Sequence, residues 1–368
     1  MEATVCNVLI IEDQSDTIER YKDLASNSGL TFLSPAEVGL TENITAEKGV
    51  SVEEQLAKFL KIAIRERGID VVLLDTDLSR QRELQTHSSY KSALRDLGMP
   101  VCRYQKGGRD SALSMLPQLQ RSIRDGASAI WIPRSLVSGD RGEELVPRLK
   151  AISAAFGRIE AVLAGRPELV EKQHSPTDVL AAVLGDDNLA YEFLGYAAQN
   201  LVYFAAPEPD SMEYEISKVK RYATQLGYWL FNYILMFPGP ILSRPAAAAY
   251  LNVSPLMFDS NPAFASLIEH ARYVGPFDGV ESYYWRSKLS ELADSVGGDI
   301  AMHPGLSGVT LDRIDRRNEA VQAYICMLSG EAITADQAAP SPDWVPSGAS
   351  EAKIKEEVLD ELGPLAGI

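Results

Sequence analysis

The sequence lacks a basic excess, a long apolar run, clustered cysteines and the common nucleotide-binding signatures, and each absence removes a class of function. Lys and Arg number 35 against 51 Asp and Glu, for a formal net charge of −16. The imbalance is uneven: residues 1–162 carry 21 basic against 23 acidic side chains (net −2), and 163–368 carry 14 against 28 (net −14). A free nucleic-acid binder draws most of its non-specific affinity from Lys and Arg on phosphates. The basic clusters of the second half are only Lys218, Lys220, Arg221 and Arg313, Arg316, Arg317, so charge disfavours DNA as a partner. The most apolar run, 226–237, is interrupted by Asn232 and closed by Pro238. A membrane span needs about 20 apolar residues, so a buried core helix is expected and membrane association is not. The opening MEATVCNVLIIED has no basic segment ahead of an apolar stretch, so no secretory signal and a cytoplasmic location are expected. Cys6, Cys102 and Cys326 lie far apart without metal-ligand spacing, and are expected to be buried free thiols. His87, His174 and His303 are isolated, so a metal site made of histidines is not expected. Walker loop, G-x-G-x-x-G and nucleophile elbow are all missing.

What is present is an alternation of short apolar runs and amphipathic stretches over the first 160 residues or so. Strands are expected at 5–11, 30–33, 70–74, 100–104 and 129–132, and helices at 15–28, 52–67, 88–97, 111–124 and 143–164. In 52–67, Leu56, Phe59, Leu60, Ala63 and Ile64 recur at helical spacing, with Lys58, Lys61 and Arg65 elsewhere around the helix. Continuous apolar strands such as NVLII and VVLL fit a parallel sheet buried on both faces. Five such βα units make an α/β, doubly wound five-stranded parallel sheet of the flavodoxin-like kind, with its ligand crevice at the carboxyl ends of the strands.

Beyond residue 162 the strand signal fades. Ser175-Pro176-Thr177-Asp178 reads as a helix start, with further helices at 188–204 and 211–237, and Met236-Phe237-Pro238-Gly239-Pro240 ends a helical middle region spanning 163–240. A smaller region occupies 241–297. A helical tail is expected over 298–368, with a helix at about 311–329, a linker at 338–350 by composition, and a final helix carrying Ile354, Val358 and Leu362.

The carboxylates at the strand ends are the chemical signal. Glu12 and Asp13 end one buried strand and Asp75 ends another, so neighbouring parallel strands would gather the three acids. Such clustering repels unless a hard cation sits there, and oxygen ligands suit Mg²⁺. VLIIEDQSD and GIDVVLLDTDLSR resemble the first and third strands of a two-component receiver domain. The resemblance implies that Asp75 is a phosphoacceptor, that Glu12, Asp13 and Asp75 hold Mg²⁺, and that Asp77 borders the pocket. It also implies a histidine kinase or another component of the same system as partner, with no enzymatic activity beyond phosphoacceptance and autodephosphorylation. Two positions depart from the family. Gln105 stands where a hydroxyl should end the fourth strand, and Pro133 stands where a lysine should end the fifth. Lys106 or Arg134 could replace that lysine, though an Arg fork and a Lys point charge are not interchangeable. With its latch missing, Asp75 is expected to switch weakly, as in a pseudo-receiver. Asp75-Thr76-Asp77-Leu78-Ser79 also fits the nucleophile motif of haloacid-dehalogenase-like phosphohydrolases, which normally lies on the first strand of that domain and here ends the third.

ILSRPAAAAYLNVSPLMFDS resembles the opening of an excisionase- or MerR-like winged helix-turn-helix, and YYWRSKLSELAD its wing strand and following helix. The would-be recognition segment PLMFDSNPAF has Asp259 as its one charge, whereas base and phosphate contacts need donors there. The expected function is that of a regulatory protein whose receiver-like domain controls how the acidic second half engages a protein partner. A DNA-binding response regulator with a winged-helix output is the alternative.

Overall fold

The computed structural model describes residues 5–40, 49–78, 86–106, 115–116, 119–120, 128–138, 141–171, 174–197, 217–318 and 321–363. The chain forms two compact units. The first comprises Met1–Gly108, Ala127–Ser175 and Val202–Tyr228, and the second comprises Arg109–Gly126, Pro176–Leu201 and Trp229–Ile368.

The first unit is built on an all-parallel sheet of β1 (Cys6–Ile11), β2 (Leu30–Leu33), β3 (Val71–Asp75), β4 (Val101–Tyr104) and β5 (Ile130–Trp131), in the order β2-β1-β3-β4-β5. This is the α/β, flavodoxin-like arrangement expected from the buried apolar strands. Helices cover both faces. α2 (Val52–Arg67) and α3 (His87–Asp96) pack Leu56, Leu60, Tyr90 and Leu94 against Leu9, Ile11, Val72 and Leu74. α1 (Ser15–Leu24) lies on the other face, where the Tyr21 ring meets Tyr104 edge-on at 6.1 Å and Phe32 at 6.0 Å. α2 has the caps its sequence calls for. Ser51 accepts the Glu54 N–H at 3.1 Å, and Gly68 closes the helix at φ 57°, a left-handed turn that glycine adopts without a Cβ penalty. β4 is pinned at its start by the helix Lys218–Trp229: the Tyr228 hydroxyl accepts from Val101 N–H at 2.7 Å, and Thr224 donates to Gly98 O at 2.8 Å. The expected helix at 111–124 lies largely outside the described residues.

The second unit is made of shorter pieces. β6 (Ile241–Ser243) pairs antiparallel with β7 (Tyr283–Trp285), and each runs directly into a helix, Arg244–Tyr250 and Arg286–Asp294. Leu242, Leu251, Phe264, Ile268, Tyr284 and Leu289 share one apolar core. The segment after the Asn252 turn splits into two short helices, Met257–Ser260 and Pro262–Ile268.

Two expectations for the tail are corrected. No helix runs from 311 to 329 among the described residues, and Tyr324–Ile325 is instead a strand, β8, paired with β9 (Ala332–Ile333). The cause is Asn252, held at φ 54°, whose side chain binds both Asp315 N (2.8 Å) and Asp315 O (2.9 Å). With Ser254 N–H donating to Asp312 O at 2.8 Å, this holds the chain extended. The stretch 338–350 is no free linker either. Ala338–Ala339 forms β10 against β11 (Ile354–Lys355), and Ala339, Val345 and Ala349 are buried. Its Gly, Ala and Ser residues serve close packing: Gly348 N–H donates to Gly195 O at 3.2 Å, and Trp344 meets Phe237 edge-on. The last helix, Glu356–Leu362, buries Leu362 within the protein. Cys6, Cys102 and Cys326 are free thiols, the latter two buried. Among the described residues no helix is long and apolar enough to cross a membrane.

Candidate functional site

The sheet positions the acidic side chains. β1 and β3 are neighbours in parallel register, Ile11 opposite Leu74, so Glu12 and Asp75 leave the sheet side by side at its carboxyl edge. Glu12, Asp13 and Asp75 each bring a carboxylate oxygen within 4.8 Å of the others. Glu12 and Asp75 are buried, 4% and 1% exposed, while Asp13 stands at the solvent rim. Asp77 is exposed beside them and donates its backbone N–H to Asp75 Oδ1 at 2.9 Å.

The fourth strand completes the pocket. β4 lies against β3 with Tyr104 opposite Asp75, and Thr76 N–H donates to Tyr104 O at 3.0 Å. Two residues further on, Lys106 places its ammonium on Glu12 Oε2 and 3.4 Å from Asp75 Oδ2. The Tyr104 hydroxyl donates to the same Glu12 oxygen at 2.5 Å, and the N–H groups of Asp13 and Gln14 both reach Glu12 Oε1 at 2.9 Å. Burial holds the Tyr104 phenol protonated, far above its ordinary range. Arg134 opens a short helix, Arg134–Val137, and donates to Gln105 Oε1 at 3.3 Å. Of the two candidate cations, Lys106 is the one seen on Asp75.

Sequence reasoning named the three acids and Lys106, and it missed Tyr104. Its place two residues after the apolar Cys102, on the same face of the strand, could have marked it as inward-facing, but nothing local says that its hydroxyl meets Glu12.

The Asp75 carboxyl is pushed up to about 6, first by burial and then by the Glu12 charge, against the opposing pull of the Asp77 N–H and the Lys106 ammonium. Between about pH 4 and 6 the folded protein therefore holds more protons at Asp75 than the unfolded chain does, so this group lowers stability as pH rises through that window. In metal-free buffer, Asp75→Asn is expected to be more stable than wild type at pH 7 by about 3 kcal/mol, a figure in which the Lys106 pull is already counted. The gain should shrink to nothing near pH 4. Thermal midpoints of both proteins across pH 4–7 check this, and a constant difference would show that the carboxyl titrates normally.

Three oxygen donors converging at one edge could hold a metal ion, with Asp13, Asp75 and Glu12 as the residues that would ligate it. Such an ion would offset the repulsion between these acids and an incoming anion. Comparison with protein-family models finds no match to the chain, and comparison with curated protein sequences finds none either.

Proposed function

We propose that the first unit is a receiver-like signalling module in which Asp75 accepts a phosphoryl group, and that the chain is a regulatory protein whose acidic second unit engages a protein partner. The observation that carries this reading is the gathering of Glu12, Asp13 and Asp75 at one sheet edge with the Lys106 ammonium on Asp75. Pro133 stands where a receiver would carry its cation, and Lys106 supplies one from just past the fourth strand instead. An Asp75 oxygen would attack the phosphorus of a phosphodonor such as acetyl phosphate, and acetate would leave with the electron pair of the broken P–O bond. Lys106 would then balance charge on the phosphoryl oxygens. Hydrolysis of the acyl phosphate would return Asp75 and free phosphate.

For the second unit, the β6–β7 pair with its following helices is read as a winged-helix-like docking module. The cations beside it are already paired: Arg313, bridged to Val253, with Asp299, and Arg244, 4.8 Å above the Phe258 ring, with Asp259, while the helices Met257–Ser260 and Pro262–Ile268 bear no Lys or Arg. This charge pattern suits a protein partner better than phosphates.

The test is acetyl phosphate with Mg²⁺, followed by borohydride, which reduces an aspartyl phosphate to homoserine. Homoserine is expected at position 75 in wild type and nowhere in Asp75→Asn. Its absence from wild type at saturating donor would overturn the phosphoacceptor reading.

A further inference from the structure

We infer that Lys106 is a built-in competitor of the divalent cation, holding the carboxylate pocket closed until a metal displaces it from Glu12; the inference rests on the reading of this pocket as a metal-bearing one. Glu12 has about four acceptor positions, and three hydrogen bonds and one ion pair meet its two oxygens. Asp13 N–H and Gln14 N–H are on Oε1, and Tyr104 O–H and the Lys106 ammonium are on Oε2. Asp75 is similarly committed, with Oδ1 taken by Asp77 N–H and Oδ2 facing the same ammonium. Both buried carboxylates therefore turn an oxygen toward one positive charge, whose nitrogen is shielded from water and held by ion pairing with no hydrogen bond of good geometry.

A metal entering among Glu12, Asp13 and Asp75 would need those same oxygens. Two cations cannot share them, because like charges a few ångströms apart in a buried site repel strongly. The lysine is the one that can move. It sits just past the end of β4 on a flexible stem, whereas Glu12 is fixed by two backbone N–H groups. Metal affinity is thus set low by Lys106, and metal entry frees its ammonium for an anion arriving at Asp75. Tyr104, which donates to Glu12 in either state, keeps the carboxylate aimed during the exchange.

The experiment uses the full chain with Mn²⁺ as probe, its binding read by electron paramagnetic resonance, in wild type and in Lys106→Met, Lys106→Gln and Lys106→Arg. Both neutral variants are expected to bind about tenfold tighter or more, the scale on which single outer partners change metal affinity, while Lys106→Arg stays near wild type. A second measurement needs no variant. Acetylation of Lys106 by trace acetic anhydride is expected to rise severalfold with saturating Mn²⁺, with that of the exposed Lys58 unchanged. If wild type binds Mn²⁺ but the neutral variants gain nothing and Lys106 labelling stays flat, the exchange is overturned and the carboxylates remain a metal site. If no protein binds Mn²⁺, the exchange falls together with the metal-bearing part of the proposed function. Should the neutral variants fail to fold, the labelling of wild type decides.

Discussion

Glu12→Ala is expected to destabilise the first unit by about 3–5 kcal/mol, the cost of removing one partner from a buried ion pair. The carboxylate accepts from two backbone N–H groups and one phenol and pairs with one ammonium. Alanine would strand the buried Tyr104 hydroxyl and leave Lys106 facing only Asp75. Glu12→Gln should cost less, because its amide oxygen still accepts while the charge is lost. Because two compact units need not unfold together, hydrogen exchange of the β1 and β4 amides is a better measure than a single unfolding midpoint. A Glu12→Ala, Lys106→Met double variant should be more stable than the sum of the two single losses implies, since the pair is removed together. Additive losses would show that Glu12 and Lys106 are not coupled.

In the second unit, Gly239→Ala is expected to cost about 3 kcal/mol or more, at the upper end of overpacking effects. An added Cβ would lie 2.3 Å from Gly348 O and 2.3 Å from the Tyr196 hydroxyl oxygen. Neither neighbour can retreat easily. Tyr196 is buried and donates to Phe237 O at 2.7 Å, while Gly348 is tied to Gly195, where a Cβ would in turn meet Gly348 backbone at 2.4 Å. The expected result in calorimetry is a lowered midpoint for the second unit with the first unit's transition in place. A midpoint equal to wild type would mean that the contact has slack to give.

How much of this was legible depends on how local the cause is. The bounds of α2 matched the sequence, 52–67, because its apolar spacing, Ser51 cap and Gly68 stop all lie within or beside the segment. The strands β1 and β3 were equally plain, and with them the approach of Glu12, Asp13 and Asp75. Which cation would reach Asp75 was not legible. Lys106 and Arg134 were equal candidates until the register of β4 on β3 set Tyr104 opposite Asp75. The tail failed for the same reason. Residues 311–318 have helical composition, but bonds from Asn252, some 60 positions earlier in the chain, outweigh that local preference.

Among the described residues, the groups on Glu12 and Asp75 all come from β1, β3 or β4 and the residues just past their ends. β5, only two residues long at the margin of the sheet, contributes none of them. The partners of the two buried acids are therefore supplied within three adjoining strands. In evolutionary terms the outer strand and the short helix after it are released from the chemistry, and are open to be reshaped as a recognition surface without changing the charge balance at Asp75.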